Sequence, residues 1–97
     1  MARTAPAPTG PWSQEIAIFD PCREGAFGNF MHWPGLDDLN VQDPSGLVDN
    51  TGFAYGAFIL ERLTEWHPGD RSVTLHYLMS TWRPYQVHHM RSRFRIG

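Results

Sequence analysis

The chain contains no lysine, and all eight of its basic residues are arginine. Net charge is −2 at neutral pH, so no global positive field draws it onto nucleic acid or an anionic membrane surface. A single cysteine, Cys22, excludes an intramolecular disulfide and leaves a free thiol as the expectation. No apolar run approaches the length that spans a bilayer, and residues 1–10 hold no apolar core of a secretory signal. Neither a membrane span nor an export signal is expected in these residues. His-x-His and Cys-x-x-Cys spacings are both missing, which argues against a metal site readable from the sequence. Neighbouring His88 and His89 point to opposite faces of any strand and cannot readily share one ion. We therefore expect no metal and no cofactor.

What the chain does have is aromatic surface: 13% of its 97 residues, with four tryptophans. A chain of this length makes at most one small domain and buries only roughly 60–65% of its unfolded surface. Its stability margin is expected to be thin. Residues 1–11 are small, proline-rich and without period, and read as a disordered lead before a structured segment over 12–97.

Short apolar runs bounded by turn residues predict strands over Glu15–Phe19, closed by Asp20-Pro21, and over Gly25–Trp33, closed by Pro34-Gly35. A polar stretch from Leu36 to Gly52 predicts a long loop. Phe53 to about Leu63 predicts the next strand, and His67-Pro68-Gly69-Asp70 the turn that returns it. Over Ser72–Ser80, Val73, Leu75, Tyr77 and Met79 alternate with Thr74, His76, Leu78 and Ser80. After a break at Arg83-Pro84, Gln86–Ile96 places His88, Met90, Ser92, Phe94 and Ile96 on one face, and His89, Arg91, Arg93 and Arg95 on the other. A C-terminal meander of three antiparallel strands follows. An internal echo aligns Ala26-Phe27-Gly28-Asn29-Phe30-Met31 with Ala54-Tyr55-Gly56-Ala57-Phe58-Ile59. Glycine inside a strand pattern marks a bulge or a close backbone approach.

Candidate contact residues cluster around the break between the last two strands. Trp82 and Tyr85 flank it and offer a flat platform for the C–H faces of a sugar ring, while Ser80, Thr81 and Gln86 offer hydroxyl and amide groups. The same residues suit core packing and backbone capping. His32, at the end of an aromatic run, suits a hydrogen bond to a hydroxyl or the orientation of a carboxylate. Asp37-Asp38 is the nearest thing to a paired-carboxylate motif, although adjacent loop acids more often cap turns.

In order and spacing, Gly10-Pro11-Trp12-Ser13, Gly28-Asn29-Phe30-Met31-His32, Ala54-Tyr55-Gly56 with Phe58-Ile59, Ser80-Thr81-Trp82 with Pro84-Tyr85-Gln86-Val87, and Met90-Arg91-Ser92 resemble the C-terminal end of actinobacterial endo-D-arabinanases. These are β-propeller glycoside hydrolases, formerly a domain of unknown function. The chain departs from that pattern at Arg83, where Asn is usual, and at Ala57, where Pro is usual. The resemblance implies an all-β fold, a partial propeller of about one to two blades. It implies contact with a D-arabinan-like cell-wall polysaccharide, carried over to His32, Tyr55, Ser80, Thr81, Trp82, Tyr85 and Gln86, and a parent protein secreted or held at the cell envelope. Such hydrolysis needs two carboxyl groups roughly 5–9.5 Å apart. None is assigned here, and the chain is expected to be inert by itself. A non-catalytic carbohydrate-binding or interaction remnant is the alternative, and unpaired edges are expected to favour self-association.

Overall fold

The computed structural model describes residues 1–39, 51–82 and 85–96, and within them the chain is all-β. Four strands form one antiparallel sheet: β1 (Phe53–Ile59), β2 (Glu65–His67), β3 (Ser72–Trp82) and β4 (Gln86–Arg95). β3 is the central strand. Along one edge it pairs with β4 in an unbroken register from Ser72↔Arg95 to Thr81↔Gln86. Along the other edge it pairs with β1 through its C-terminal half and with β2 through its N-terminal half.

β1 and β2 therefore lie end to end as one interrupted strand, and the predicted three-strand meander is present with its outer strand broken. The predicted strand over Phe53–Leu63 ends early, at Ile59. A single 3-10 turn, Glu61–Leu63, buds out between the two pieces. Thr64 closes it: its hydroxyl donates to the Leu60 carbonyl at 3.2 Å and accepts from the His76 amide at 3.4 Å.

A second irregularity sits inside β1. Tyr55 lies opposite Ser80 and Phe58 opposite Leu78, so Gly56 and Ala57 together face Met79. Gly56 has φ +64, the left-handed conformation that a bulge of this kind requires and that a side chain resists. In the matching copy of the sequence echo, Gly28 also has positive φ, +80, but in a different setting. The amides of Asn29, Phe30 and Met31 all point to the Ala26 carbonyl, closing a tight turn. A Cβ on Gly28 would stand 3.2 Å from that of Leu36. The echo repeats a backbone requirement, not a strand.

The two N-terminal strands expected from the sequence are not part of the sheet. Gly25–Trp33 is a succession of turns with one isolated bridge, Phe27↔Met31, and Glu15–Phe19 contributes only the bridge Ala2↔Ile16. That bridge also corrects the expectation of a disordered lead. Residues 2–16 fold back on themselves through reciprocal 2.8 Å bonds between Ala2 and Ile16, and through the Ser13 amide donating to the Thr4 carbonyl at 2.8 Å. Asp20-Pro21 does make a turn, with the Asp20 carboxylate accepting the Cys22 and Arg23 amides. Cys22 is exposed on it. The long loop predicted from Leu36 to Gly52 falls mainly outside the described residues, as does the Arg83-Pro84 break.

This N-terminal segment covers one face of the sheet. The Ser92 hydroxyl donates to the Ile18 carbonyl at 2.6 Å, and Phe30 packs on His88 with ring centroids 4.6 Å apart. Ala26, Met31 and Tyr77 are the fully buried apolar residues between the layers. Burial along β4 alternates as the sequence predicted, with His88, Met90, Ser92 and Phe94 on the covered side and the arginines outward.

The other face of the sheet is bare around Phe53, Tyr55, Phe58 and Trp82, while Ser72 and Thr74 at its other end are buried, and the sheet does not close on itself. A radius of gyration of 16.1 Å exceeds the roughly 12.5 Å of a compact chain this long. Accessible surface is 6951 Å², against about 5,700 Å² for a compact monomer of this mass. Among the described residues no helix is long and apolar enough to cross a membrane.

Candidate functional site

The bare face of the sheet carries the aromatic residues. Paired residues on antiparallel strands share a face, so Phe53 opposite Trp82 and Tyr55 opposite Ser80 put three rings side by side. The bulge at Gly56-Ala57 adds one residue to β1 and brings Phe58, opposite Leu78, onto this same face. Tyr85, in the turn before β4, meets Trp82 edge to face at 6.1 Å, and Phe53 meets Tyr55 at 5.9 Å. Trp82 is 37% exposed, Tyr55 43%, Phe53 47%, Tyr85 63% and Phe58 66%. Val87, opposite Ser80, extends the patch and is likewise exposed. These exposed rings make the largest side-chain cluster of aromatic residues left open on the sheet among the described residues.

The seven contact residues predicted from the sequence divide into two groups. Tyr55, Ser80, Trp82 and Tyr85 come together on the bare face. Thr81 is fully buried on the opposite face, its hydroxyl 3.5 Å from the Gln86 carbonyl. Gln86 pairs with Thr81 and shares that opposite face, though it is itself exposed. His32 is buried in the N-terminal layer, its carbonyl accepting the amide of Gly52, the residue before Phe53, at 2.7 Å, so its side chain is not part of the open platform. Phe53 and Phe58 belong to the aromatic cluster and were not singled out. Their signal was the glycine inside β1, since a bulge shifts the alternation and lets an even-numbered residue join odd-numbered neighbours.

His32 has a partner the sequence hinted at only loosely. Its Nδ1 lies 2.6 Å from Oδ1 of Asp37, and both side chains are nearly inaccessible. Asp37 accepts two further bonds, from the Leu39 amide at 2.9 Å and the Trp33 amide at 3.0 Å. Burial acts to raise the Asp37 pKa, but the His32 hydrogen bond and the two amides outweigh it and hold the carboxyl below its ordinary value. Asp37 and Asp38 are thus no catalytic pair: Asp37 knots a loop around His32, and Asp38 is exposed.

Asp70 and Asp20 are also engaged. Asp70 accepts the Ser72 hydroxyl at 2.6 Å and pairs with Arg93 at 3.1 Å, while Asp20 caps its own turn. Two clefts lie away from the aromatic face. One, of about 260 Å³, is lined by Ala17, Asp20, Arg23 and Glu24. The other is an open groove of about 560 Å³ between the Pro6, Pro11 and Trp12 region and Ile96.

His88 and His89 point to opposite faces, as adjacent strand residues must. His89 meets His76 on the bare side. His88 sits under Phe30, and its buried Nε2 has no hydrogen-bond partner among the described residues. Such an atom costs its hydration without recompense. The substitution His88→Phe keeps the ring stack and removes the orphan nitrogen, so urea denaturation is expected to show a gain of about 1 kcal/mol. A loss would mean that His88 has a partner that matters.

Comparison with family models, with curated proteins and with solved structures returned no match. The molecule is thus defined by its own geometry: an open antiparallel sheet, covered on one face and aromatic on the other.

Proposed function

We propose that this sheet is a polysaccharide-contacting surface from the C-terminal part of a propeller glycoside hydrolase of the endo-D-arabinanase type, and that it binds without cleaving. The single observation carrying the reading is the exposed cluster of Phe53, Tyr55, Trp82 and Tyr85 with the Ser80 hydroxyl beside it. Rings of this kind stack on the apolar faces of sugars, and a neighbouring hydroxyl supplies orientation. Support for a larger β-architecture comes from the uncovered face, the unclosed sheet and the excess of accessible surface. In a propeller, further strands and a neighbouring blade would complete what is open here.

The alternative, a non-catalytic binding or interaction remnant, draws on the carboxylates. Asp20, Asp37 and Asp70 are each committed to turns or ion pairs, which leaves none of them poised as a general acid or base. Both readings place the same sugar on the same rings. Self-association through uncovered strands belongs to either.

The test uses the 97-residue chain with soluble D-arabinan and with an unrelated glucan as control. Affinity electrophoresis is expected to show retardation by arabinan alone, without any rise in reducing ends. The Trp82→Ala variant is expected to lose about tenfold in affinity, equivalent to ~1.4 kcal/mol. Equal retardation of Trp82→Ala, Tyr55→Ala and the unaltered chain would remove the platform. Released oligosaccharides would overturn the assignment as a non-cleaving surface.

A further inference from the structure

We propose that His76 and His89 form a two-histidine chelate for a divalent cation of square-planar or tetragonal preference, copper(II) above all. The two rings belong to the adjacent strands β3 and β4 and meet diagonally on the bare face, with Nδ1 of His76 2.9 Å from Nε2 of His89. Their centroids are 5.1 Å apart and their planes are inclined by 45°. Neither ring is in a loop. The β3–β4 register runs through both positions without a bulge, so the backbone holds the two residues in a fixed diagonal relation.

Once the rings turn out of this hydrogen bond, both nitrogens can converge on one ion. A cation about 2.0–2.1 Å from each nitrogen would see the two of them, 2.9 Å apart, at an angle of about 90°. A right angle is the cis angle of a square-planar or tetragonal site, the geometry of copper(II) and nickel(II). Tetrahedral zinc at the same bond lengths needs nitrogens about 3.3–3.4 Å apart. The general affinity order also places copper above nickel and zinc. Among the described residues no group of three or more histidines, cysteines or acids gathers. A closed four-ligand cage is therefore not on offer, and water completes the coordination.

As they stand, the two imidazoles share one N–H between facing nitrogens. Metal binding requires both facing nitrogens to present lone pairs. The donating ring meets this by carrying its proton on its other nitrogen, a tautomer change with no net proton release. Arg91, directly opposite His76, sets a positive charge nearby. On an open face that repulsion is strongly screened by solvent and salt, and it weakens binding without forbidding it. The chelate uses residues outside the aromatic cluster and is independent of sugar binding.

Isothermal titration of the whole chain with copper(II), nickel(II) and zinc(II) chlorides tests the inference, with electron paramagnetic resonance on the copper sample. One copper is expected to bind, with two equatorial imidazole nitrogens in its spectrum, and zinc is expected to bind about tenfold or more weakly. The variants His76→Ala and His89→Ala are each expected to lose about tenfold or more in copper affinity. His67→Ala, on β2 opposite Ser72 and bonded to Thr74, is expected to leave it unchanged. His89 is exposed, so its removal does not threaten folding and circular dichroism will confirm this. Unaltered copper affinity in His89→Ala, a matching loss in His67→Ala, or zinc binding as tight as copper would overturn the proposal.

Discussion

Replacing Tyr77 by alanine is expected to lower stability by about 3–5 kcal/mol, the range for truncating a large buried aromatic side chain. Tyr77 is 1% exposed and stands at the middle of β3, facing Ile59 on β1 and Met90 on β4. Among the described residues it is the largest fully buried side chain, and it shares the apolar core with little more than Ala26 and Met31. The hydroxyl adds a connection between layers. Because the Ser92 hydroxyl hydrogen is spent on the Ile18 carbonyl, the Tyr77 hydroxyl donates to Ser92 at 3.0 Å. Burial raises the Tyr77 pKa above its ordinary value, which keeps the hydroxyl neutral and able to donate. A domain of this size has about 5–15 kcal/mol to lose, so Tyr77→Ala removes a large share of the margin. The control is Tyr77→Phe, expected to cost only about 0.5–1.5 kcal/mol, because it empties no space and deletes one hydrogen bond. Urea unfolding followed by tryptophan fluorescence reads both. Similar midpoints for the alanine variant and the unaltered chain would mean that the two layers are not held by this residue.

The second large effect is expected at Asp37. Its removal leaves the buried His32 nitrogen and the Leu39 and Trp33 amides without their acceptor. Asp37→Ala is expected to cost about 2–4 kcal/mol, whereas Asp38→Ala should stay within about 0.5 kcal/mol. The pH dependence has a definite sign. A carboxyl whose folded pKa lies below its unfolded value stabilises the fold fully above the unfolded value. That contribution declines on acidification from the ordinary 3.8 downward, until the folded group is itself protonated. The unaltered chain should lose stability across that interval, and Asp37→Asn should lack that part of the loss. Parallel acid limbs for the two proteins would refute the linkage.

Much of the sheet was legible because a strand has a period of two and nothing competes with it over Ser72–Ser80 or Gln86–Ile96. On β4 the set from His88 to Phe94 is the covered one, whereas on β3 the alternation gives the faces but burial falls on both, on Tyr77 and Thr81 of one and on Ser72 and Thr74 of the other. The N-terminal half misled because a short apolar run such as Ile16-Ala17-Ile18-Phe19 needs a partner strand before it becomes sheet. Here it finds Ala2 and little else. The pattern Ala-aromatic-Gly-x-Phe-aliphatic pointed to a bulge or a close backbone approach, and Gly56 supplies the first and Gly28, under Leu36, the second. It could not say that one would close a turn and the other bulge a strand. Within the site, parity alone separates Thr81 from Ser80 and Trp82, so grouping the three conflicted with the alternation read from the same strand. The pairings of His32 with Asp37 and of His76 with His89 depend on loop closure and on cross-strand register, which a single sequence does not carry.

The two irregularities of the outer strand make the sheet lopsided as a template. An incoming strand following β1 and β2 meets a bulge at Gly56-Ala57 and then the 3-10 turn at Glu61–Leu63, so no continuous ladder can form there. β4 offers ten residues in uninterrupted register with its inner neighbour. Any enlargement of this sheet, whether by more of the same polypeptide or by another copy, proceeds most readily from that flank, past the outward Arg91, Arg93 and Arg95 that guard it.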